Sequence, residues 1–246
     1  MVFRQLLHIL FPEQQICLIC GLGIGTDGIC VKCRTSILAE KVAFCQVCGR
    51  YRSEKSTGLR SAPICKACLK MPPPFYAARS LGPYTGTMKE ALYIFKYQGH
   101  RSLTNFFGLL LANVFLDEVV FAHTSVLVPV PLSKQKIVVR GFNQSQLLAE
   151  KLGQILRLPV ENCLTRIIDT KSQSKLVREA RKENVKGAFE IDAIKQANIS
   201  GKKVLLIDDI LTTGATVSEC VDVLLHSGVQ NVGVLTLASG TQEKNC

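Results

Sequence analysis

Apolar residues recur along this chain with two different spacings, and the two alternate. Spacings of three and four residues, typical of helices with one buried face, alternate with short continuous apolar runs, typical of buried strands. The pattern predicts helices over 85–97, 102–120, 144–157 and 216–226, and strands over 124–130, 163–168, 187–191, 203–208 and 231–237. Strands that alternate with helices favour a mostly parallel sheet covered on both faces, which is an α/β fold.

The first part of the chain lacks long stretches of either spacing. Residues 1–70 are rich in Cys and Gly and too poor in apolar periodicity to build much core of their own. The segment 71–75, MPPPF, contains three consecutive prolines, which favour an extended connector. We therefore predict a small N-terminal domain over 1–70, a proline linker over 71–75 and an α/β domain over 76–246.

The N-terminal stretch MVFRQLLHILFP is partly apolar. Arg4 and His8 interrupt it, and no small-residue cleavage site follows before Cys17, so an amphipathic helix is favoured over a signal peptide. Nowhere does the chain approach the roughly 18 consecutive apolar residues that a membrane-spanning helix needs. No membrane insertion is therefore expected.

The chain has 11 cysteines, and most of them form CxxC pairs before residue 70. Two intervening residues let both sulfurs of a pair point at one ion, and two pairs complete a closed tetrahedral shell, which is typical of structural zinc. The short gaps favour pairing along the chain, a double zinc ribbon, over a cross-braced arrangement. The predicted ligands are Cys17, Cys20, Cys30 and Cys33 for one ion, and Cys45, Cys48, Cys65 and Cys68 for the other.

Metal-bound thiolates indicate a reducing compartment, so a cytoplasmic protein is expected. The zinc ions would stabilise a region with little core whatever the function. Docking of nucleic acid or protein onto the zinc region is an additional hypothesis that the sequence leaves open. A thioredoxin-like redox role is disfavoured, because no βαβ pattern surrounds the CxxC pairs.

The formal net charge of the chain is +11. Binding of two Zn²⁺ by eight thiolates would reduce the net charge to about +7. The chain stays basic, which suits an anionic partner such as a nucleotide, a nucleic acid or a membrane surface. A basic surface can also serve solubility alone.

The second motif is VLLIDDILTTGAT, residues 204–216, in which a buried strand runs into two acids, a small polar loop and a helix. Ligands bind at this edge of a parallel sheet. Backbone N–H groups and hydroxyls at the helix N-terminus can wrap a phosphate, and those residues are Thr212, Thr213, Gly214, Ala215 and Thr216. Asp208 and Asp209 suit the hydroxyls of a ribose or a bound Mg²⁺. A helix cap beside an ordinary acidic turn would explain one Asp and one Thr, but not the ordered set.

This motif resembles the PRPP-binding signature of type I phosphoribosyltransferases. The resemblance implies a Rossmann-like type I phosphoribosyltransferase core in which Thr212–Thr216 hold the 5′-phosphate and Asp208 and Asp209 hold the ribose hydroxyls. It implies Mg²⁺ bridging ribose and pyrophosphate. It also places a pyrophosphate-binding loop, which includes Pro131 and Leu132, after the strand 124–130.

The resemblance also bears on the basic stretch 170–186, which would be a mobile hairpin over the site. Alternatively, the charged residues of this stretch lie on the solvent-exposed face of a helix.

The order of the motifs extends the resemblance to almost the whole chain. Four CxxC pairs precede FKYQGH at 95–100, PVPLSK at 129–134, RGFNQS at 140–145 and the PRPP motif. This order resembles the ComF family of competence proteins and their GntX-like relatives. Arg140 is well suited to a phosphate, while Asn143 and Gln144 could cap a helix or read a base edge.

The ComF resemblance implies a role in natural transformation, in which the protein handles incoming single-stranded DNA beside a competence helicase or other DNA-uptake proteins. Two alternatives stay open. One is an active phosphoribosyltransferase of nucleotide metabolism, with Asp208 and Asp209 as catalytic residues, and the other is a non-catalytic sensor of PRPP or a nucleotide. The motif does not separate them, because binding and turnover need many of the same residues.

Overall fold

A computed structural model describes residues 16–23, 28–38, 43–51, 64–168 and 185–241. The helices are α1 (Val31–Leu38), α2 (Lys66–Lys70), α3 (Gly86–Tyr97), α4 (Leu103–Asp117), α5 (Lys134–Arg140), α6 (Gln144–Leu156) and α7 (Ala215–His226). The strands are β1 (Ala77–Pro83), β2 (Val126–Pro129), β3 (Leu164–Arg166), β4 (Phe189–Ile191), β5 (Lys203–Leu211) and β6 (Asn231–Ser239). The predicted N-terminal helix and all but the last two residues of the basic stretch 170–186 lie outside the described residues.

Four parallel strands form the main sheet, in the order β1-β6-β5-β2. The central pair, β5 and β6, runs in register from Lys203 opposite Asn231 to Leu211 opposite Ser239. The strands β3 and β4 form a separate antiparallel pair. The predicted parallel sheet is therefore present, but two of the predicted strands lie outside it.

Successive residues of β5 pack against opposite sides of the sheet. Leu205 and Ile207 pack against α3, α4 and α6, whereas Val204 and Leu206 pack against α7 and the β3–β4 pair. Because both faces of the strand are covered, its sequence is continuously apolar instead of alternating. The two-sided cover is that of an α/β fold.

The predicted helices 85–97 and 216–226 correspond to α3 and α7. In α3 the predicted apolar face, which includes Met88, Leu92 and Phe95, is buried. The helix α7 is followed by Gly228 with a φ of +89°, a conformation in which glycine carries no steric penalty. Amphipathic spacing was sufficient to predict these elements.

The strand β5 is longer than predicted. Its pairing with β6 continues beyond the predicted end at residue 208, through Asp208 opposite Thr236 to Leu211 opposite Ser239. The two acids of the PRPP motif therefore lie in the last part of the strand that pairs with β6, and not in a loop after the strand. A paired backbone fixes the position of their side chains more firmly than a loop would.

The edge strand β1 was not predicted, because its sequence AARSLGP lacks apolar continuity. Its Arg79 is buried and makes polar contacts on every side. The Arg79 guanidinium donates to Gln46 O at 2.8 Å and to Gln46 Oε1 at 3.0 Å, and its Nε lies 2.7 Å from Glu118 Oε2. These partners come from the cysteine-rich region and from the residue after α4, so they could not be inferred from the strand itself.

The second group of cysteines is docked onto the sheet. Ala78 N donates to Val47 O at 2.8 Å, and Ser239 Oγ donates to Gly49 O at 2.9 Å. Gly49 has a φ of +65°, and a Cβ at this position would lie 2.5 Å from Ala78 O, so only glycine fits. The proline segment 71–75 therefore divides two regions that are joined in space by backbone contacts.

A helix that crosses a bilayer must be long and predominantly apolar. Among the described residues, no helix has both the length and the apolar character that crossing a membrane requires.

Candidate functional site

The ends of three elements converge on the acid pair. Asp208 Oδ1 accepts hydrogen bonds from Ser145 Oγ at 2.9 Å, in the first turn of α6, and from Asp209 N at 2.8 Å. Asp209 Oδ1 lies 2.8 Å from Lys96 Nζ, in the last turn of α3. The carboxylates are thus held in fixed orientations at the carboxyl end of β5.

The carboxyl group of Asp208 is strongly perturbed. Burial, and then the neighbouring charge of Asp209, raise the pKa of Asp208 to about 7. Its proton is therefore gained or lost near neutral pH. In either state its oxygens can hydrogen-bond a ligand hydroxyl.

The polar loop after β5 forms the N-terminus of α7. Gly214 adopts a left-handed conformation, with a φ of +84°, immediately before the helix begins at Ala215. Thr213 Oγ1 lies 3.5 Å from Ala215 N, and the first N–H bond within the helix runs from Ser218 to Gly214 O at 2.7 Å. The N–H groups of the first turn have no helical acceptors, so this end of the helix suits an anion.

Lys136 lies among several other charged side chains. Burial, followed by the charges of Arg166 and Arg140, lowers the pKa of Lys136, and Lys96 adds to this effect. The charge of Asp209 acts in the opposite direction on Lys136. Lys96 contacts the acid pair, and Lys136 lies near Arg140 and Arg166, so the charges at this edge of the sheet favour an anionic ligand.

Arg140 is oriented by its neighbours. Its guanidinium lies over the ring of Tyr97, 4.9 Å from the ring centroid, and donates to Tyr97 Oη at 3.2 Å. A second N–H donates to Gln144 Oε1 at 3.1 Å. Arg140 is thus presented at the surface in a set orientation, as phosphate recognition requires.

The cysteines form two separate groups. In each, four sulfurs lie within 4.8 Å of one another: Cys17, Cys20, Cys30 and Cys33 in one, and Cys45, Cys48, Cys65 and Cys68 in the other. The sulfurs of Cys20 and Cys30 are 3.7 Å apart, and those of Cys48 and Cys65 are 3.9 Å apart. A tetrahedral zinc ion with Zn–S bonds of about 2.3 Å needs sulfurs about 3.8 Å apart, so both groups fit zinc.

N–H groups contact two sulfurs of the second group. Arg50 Nε donates to Cys48 Sγ at 3.4 Å, and Cys65 N donates to Cys45 Sγ at 3.3 Å. Such N–H···S contacts orient thiolates and stabilise their charge around a structural zinc ion.

Comparison with known proteins agrees with both parts of the chain. A model of the phosphoribosyl transferase domain matches residues 140–245, and a model of the double zinc ribbon domain matches residues 6–70. The chain is 30% identical over 229 residues to the competence protein ComFC of Bacillus subtilis, an alignment that covers 88% of this chain and 91% of that protein. The chain belongs to the ComF family.

Other ComF relatives match over a similar length. The chain is 30% identical over 232 residues to the DNA utilization protein YhgH of Salmonella typhi, covering 90% of this chain and 96% of that protein. It is 28% identical over 223 residues to competence protein F of Haemophilus influenzae, covering 89% and 93%. The ComF resemblance read from the order of motifs is confirmed, and so is the predicted fold class, an α/β phosphoribosyltransferase core with a small zinc ribbon.

Solved structures with a similar fold include two enzymes. The glutamine phosphoribosylpyrophosphate amidotransferase of B. subtilis matches with a TM-score of 0.38 and 19% identity, over 56% of this chain and 26% of that longer chain. The orotate phosphoribosyltransferase of Aeropyrum pernix matches with a TM-score of 0.34 and 18% identity, over 62% and 64%. These likenesses concern the fold alone.

In this ComF-family chain the segment RGFNQS contains Asn143 and Gln144. The sequence left two interpretations for them, capping a helix or reading a base edge. Asn143 Oδ1 accepts from Ser145 N at 3.1 Å and so caps α6, while Asn143 Nδ2 donates to Val130 O at 3.0 Å. Gln144 is fully buried. Both residues serve the local structure, and Asn143 ties α6 to the loop that contains Pro131 and Leu132 at the carboxyl end of β2.

Sequence reasoning missed the partners of the acid pair. Lys96 and Tyr97 lie in FKYQGH, and Ser145 ends RGFNQS, so both ComF segments were noticed without a role for these residues. No sequence pattern predicted a role for Lys136 or Arg166. Only the fold brings these side chains to the edge of the sheet where Asp208 and Asp209 lie.

Magnesium fits the acid pair less well than zinc fits the cysteines. Asp209 Oδ1 is engaged by Lys96, and Asp208 Oδ1 accepts two hydrogen bonds. Coordination of Mg²⁺ by these two Oδ1 atoms would compete with those contacts. In this chain the Oδ1 atoms of the acid pair are therefore engaged in hydrogen bonds and in the ion pair with Lys96.

Proposed function

We propose that this ComF-family chain is a DNA-utilisation protein that binds PRPP or a related ribose phosphate at the carboxyl edge of its sheet. The observation that carries the proposal is the acid pair, Asp208 and Asp209, fixed by Ser145 and Lys96 one loop before the N-terminus of α7. Carboxylates one loop before a helix N-terminus suit the hydroxyls and the phosphate of one ribose 5-phosphate unit.

Each part of the site has a distinct task in this proposal. The carboxyl groups of Asp208 and Asp209 accept hydrogen bonds from the ribose hydroxyls. The loop Thr212–Thr216 holds the 5′-phosphate through backbone N–H groups and hydroxyls. Pro131 and Leu132, with Arg140, flank the position of a pyrophosphate. Mg²⁺ would be carried by the pyrophosphate and would neutralise its charge.

Calorimetric titration of PRPP with Mg²⁺ tests the ribose-phosphate site. We expect the wild-type chain to bind, and the double variant Asp208→Asn, Asp209→Asn to bind at least about tenfold more weakly, since charge-assisted hydrogen bonds to the hydroxyls are lost. Asp222→Asn, on the exposed side of α7, is the matched control and should bind like the wild type. Absence of binding to the wild type, or equal binding to the double variant, would refute the proposal.

The DNA part of the proposal is supported by the names of the relatives and by a surface next to the site. Arg101 lies over the ring of Phe142, 4.9 Å from its centroid, and donates to Gly141 O at 2.9 Å. Tyr93 and Tyr97 are both more than half exposed, with ring centroids 5.2 Å apart. Guanidinium planes and exposed aromatic rings are the groups on which unpaired bases stack. We therefore assign single-stranded DNA to this surface.

Fluorescence anisotropy with a labelled oligothymidylate, titrated at several salt concentrations, tests the DNA surface. We expect Arg101→Gln to weaken binding by roughly three- to tenfold, because a guanidinium on which a base can stack is lost. The salt slope should fall by about one, because the positive charge of Arg101 is lost as well. Arg157→Gln removes an exposed charge at the opposite end of α6 and should change neither quantity. Binding that does not depend on salt would argue against a phosphate-contacting surface.

An active phosphoribosyltransferase is the second candidate. The cluster formed by Lys96, Lys136, Arg140 and Arg166 favours it, because a leaving pyrophosphate needs cations. An enzyme would release pyrophosphate from PRPP when a nucleobase is added, whereas a sensor would bind PRPP and leave it intact.

Whether the chain is a DNA-utilisation protein, an enzyme or a sensor, we place it in the cytoplasm. Cysteines stay reduced there, and competence partners such as a helicase are within reach.

A further inference from the structure

Lys96 occupies an unusual position for a lysine. Its side chain is only 14% exposed, and its ammonium group lies 2.8 Å from Asp209 Oδ1, whose own side chain is 12% exposed. The residue belongs to the last turn of α3, and Gln144 Nε2 lies 3.4 Å from its carbonyl oxygen. Burial and helix geometry therefore fix this cation at the acid pair before any ligand arrives.

An acid pair needs a counter-charge. Two adjacent carboxyl groups repel each other, and burial adds the cost of removing them from water. In many phosphate-handling sites a divalent cation supplies that positive charge. Here Lys96 supplies it, and Ser145 and the backbone N–H of Asp209 satisfy Asp208.

The surroundings oppose a further cation at the same place. Lys136 is within electrostatic reach of Asp209, Lys96, Arg140 and Arg166. A divalent ion at Asp209 would meet the ammonium group of Lys96, and the positive charge of Lys136 would add to the repulsion. The same charges attract a phosphate or pyrophosphate.

We infer that Lys96 is the resident counter-cation of the acid pair, so that the ribose end of the ligand is recognised without a metal ion. The inference rests on the proposed ribose-phosphate function and adds how that site achieves charge balance. An ammonium group has three N–H donors, of which one is directed at Asp209. The others can donate to ribose hydroxyl oxygens while Asp209 accepts from a hydroxyl hydrogen. Lys96 and Asp209 together thus match a vicinal diol.

Ribose 5-phosphate separates the two roles, because it carries the diol and the 5′-phosphate but no pyrophosphate. Calorimetric titrations should be run in EDTA concentrations that spare protein-bound zinc, and again in millimolar Mg²⁺. We expect the wild-type affinity to differ by less than about threefold between the two conditions. Lys96→Gln should lose about tenfold in affinity in the absence of Mg²⁺ and recover part of it when Mg²⁺ is added.

Two variants keep the result interpretable. Lys96→Arg retains the positive charge and should keep binding independent of Mg²⁺, even if its affinity falls. Lys89→Gln removes an exposed charge from the same helix and should behave like the wild type. Circular dichroism and zinc content show whether each variant is folded. As a second readout, paramagnetic resonance of Mn²⁺ added without ligand measures how many Mn²⁺ ions each variant binds. Lys96→Gln should bind one more Mn²⁺ ion than the wild type does.

The outcomes distinguish this inference from the function on which it rests. Wild-type binding that needs Mg²⁺, with Lys96→Gln showing the same dependence and no additional Mn²⁺, would overturn the role of Lys96 and leave the ribose-phosphate site standing. Wild-type protein that binds neither ribose 5-phosphate nor PRPP under any condition would overturn both.

Discussion

Replacing Cys48 by Ser is expected to remove one of the two zinc ions and to lower the melting temperature of the entire chain by about 10 °C. A structural Zn²⁺ contributes on the order of 10 kcal/mol of binding free energy to folding, of which we expect several kcal/mol to be lost. The loss should not stay local. Val47 and Gly49, on either side of Cys48, hydrogen-bond to Ala78 on β1 and Ser239 on β6.

Zinc content by mass spectrometry and thermal unfolding by circular dichroism measure the two effects. Cys163→Ala is the control, because Cys163 is buried but lies outside both cysteine groups, and this variant should keep two zinc ions. Two zinc ions in Cys48→Ser would contradict the ligand assignment. Loss of one ion with an unchanged melting temperature would show instead that docking of the zinc region does not stabilise the sheet.

Replacing Arg79 by Met is expected to destabilise the chain by about 3 to 5 kcal/mol. The guanidinium is buried, bonds to the backbone and side chain of Gln46, and pairs with Glu118 at 2.7 Å. Removing it takes this partner from the Gln46 carbonyl and from the Glu118 carboxylate, whose side chain is 26% exposed. Breaking one side of a buried ion pair costs more than the pair itself contributes.

Urea unfolding of Arg79→Met, Glu118→Gln and the double variant measures this coupling. We expect the double variant to be less destabilised than the sum of the single variants, because the unpaired Glu118 charge is then also absent. The shift in urea midpoint should occur at constant slope, since the surface exposed on unfolding is unchanged. A loss below about 1 kcal/mol in Arg79→Met would mean that water replaces the lost contacts.

The elements that could be predicted from the sequence are those whose signal is local. Amphipathic spacing predicted α3 and α7, and an apolar run predicted the core of β5. The cysteine spacing and the TTGAT loop are also local, because each is formed by residues that are neighbours along the chain. The acid pair was found for the same reason, since Asp208 and Asp209 are adjacent.

The residues that were missed take their roles from distant partners. Lys96 is 113 residues from Asp209, and Ser145 is 63 residues from Asp208. Neither contact leaves a periodic trace in the sequence. The strand β1 was missed because a buried arginine looks like a surface residue until its partners are known. Tertiary contacts of this kind override the preference of the local sequence.

The order of the strands has a consequence for how the protein is made. β1 is hydrogen-bonded to β6, and Gly49 in the zinc region accepts its bond from Ser239, 190 residues later in the chain. During synthesis from the N-terminus, the cysteines can bind zinc early, but β1 and the zinc region have no sheet to dock on until β6 has been translated. Until then the nascent chain exposes the edge of β1. Ribosome stalling or truncation before β6 should therefore leave a zinc-loaded but undocked N-terminus, which is a substrate for chaperones and proteases.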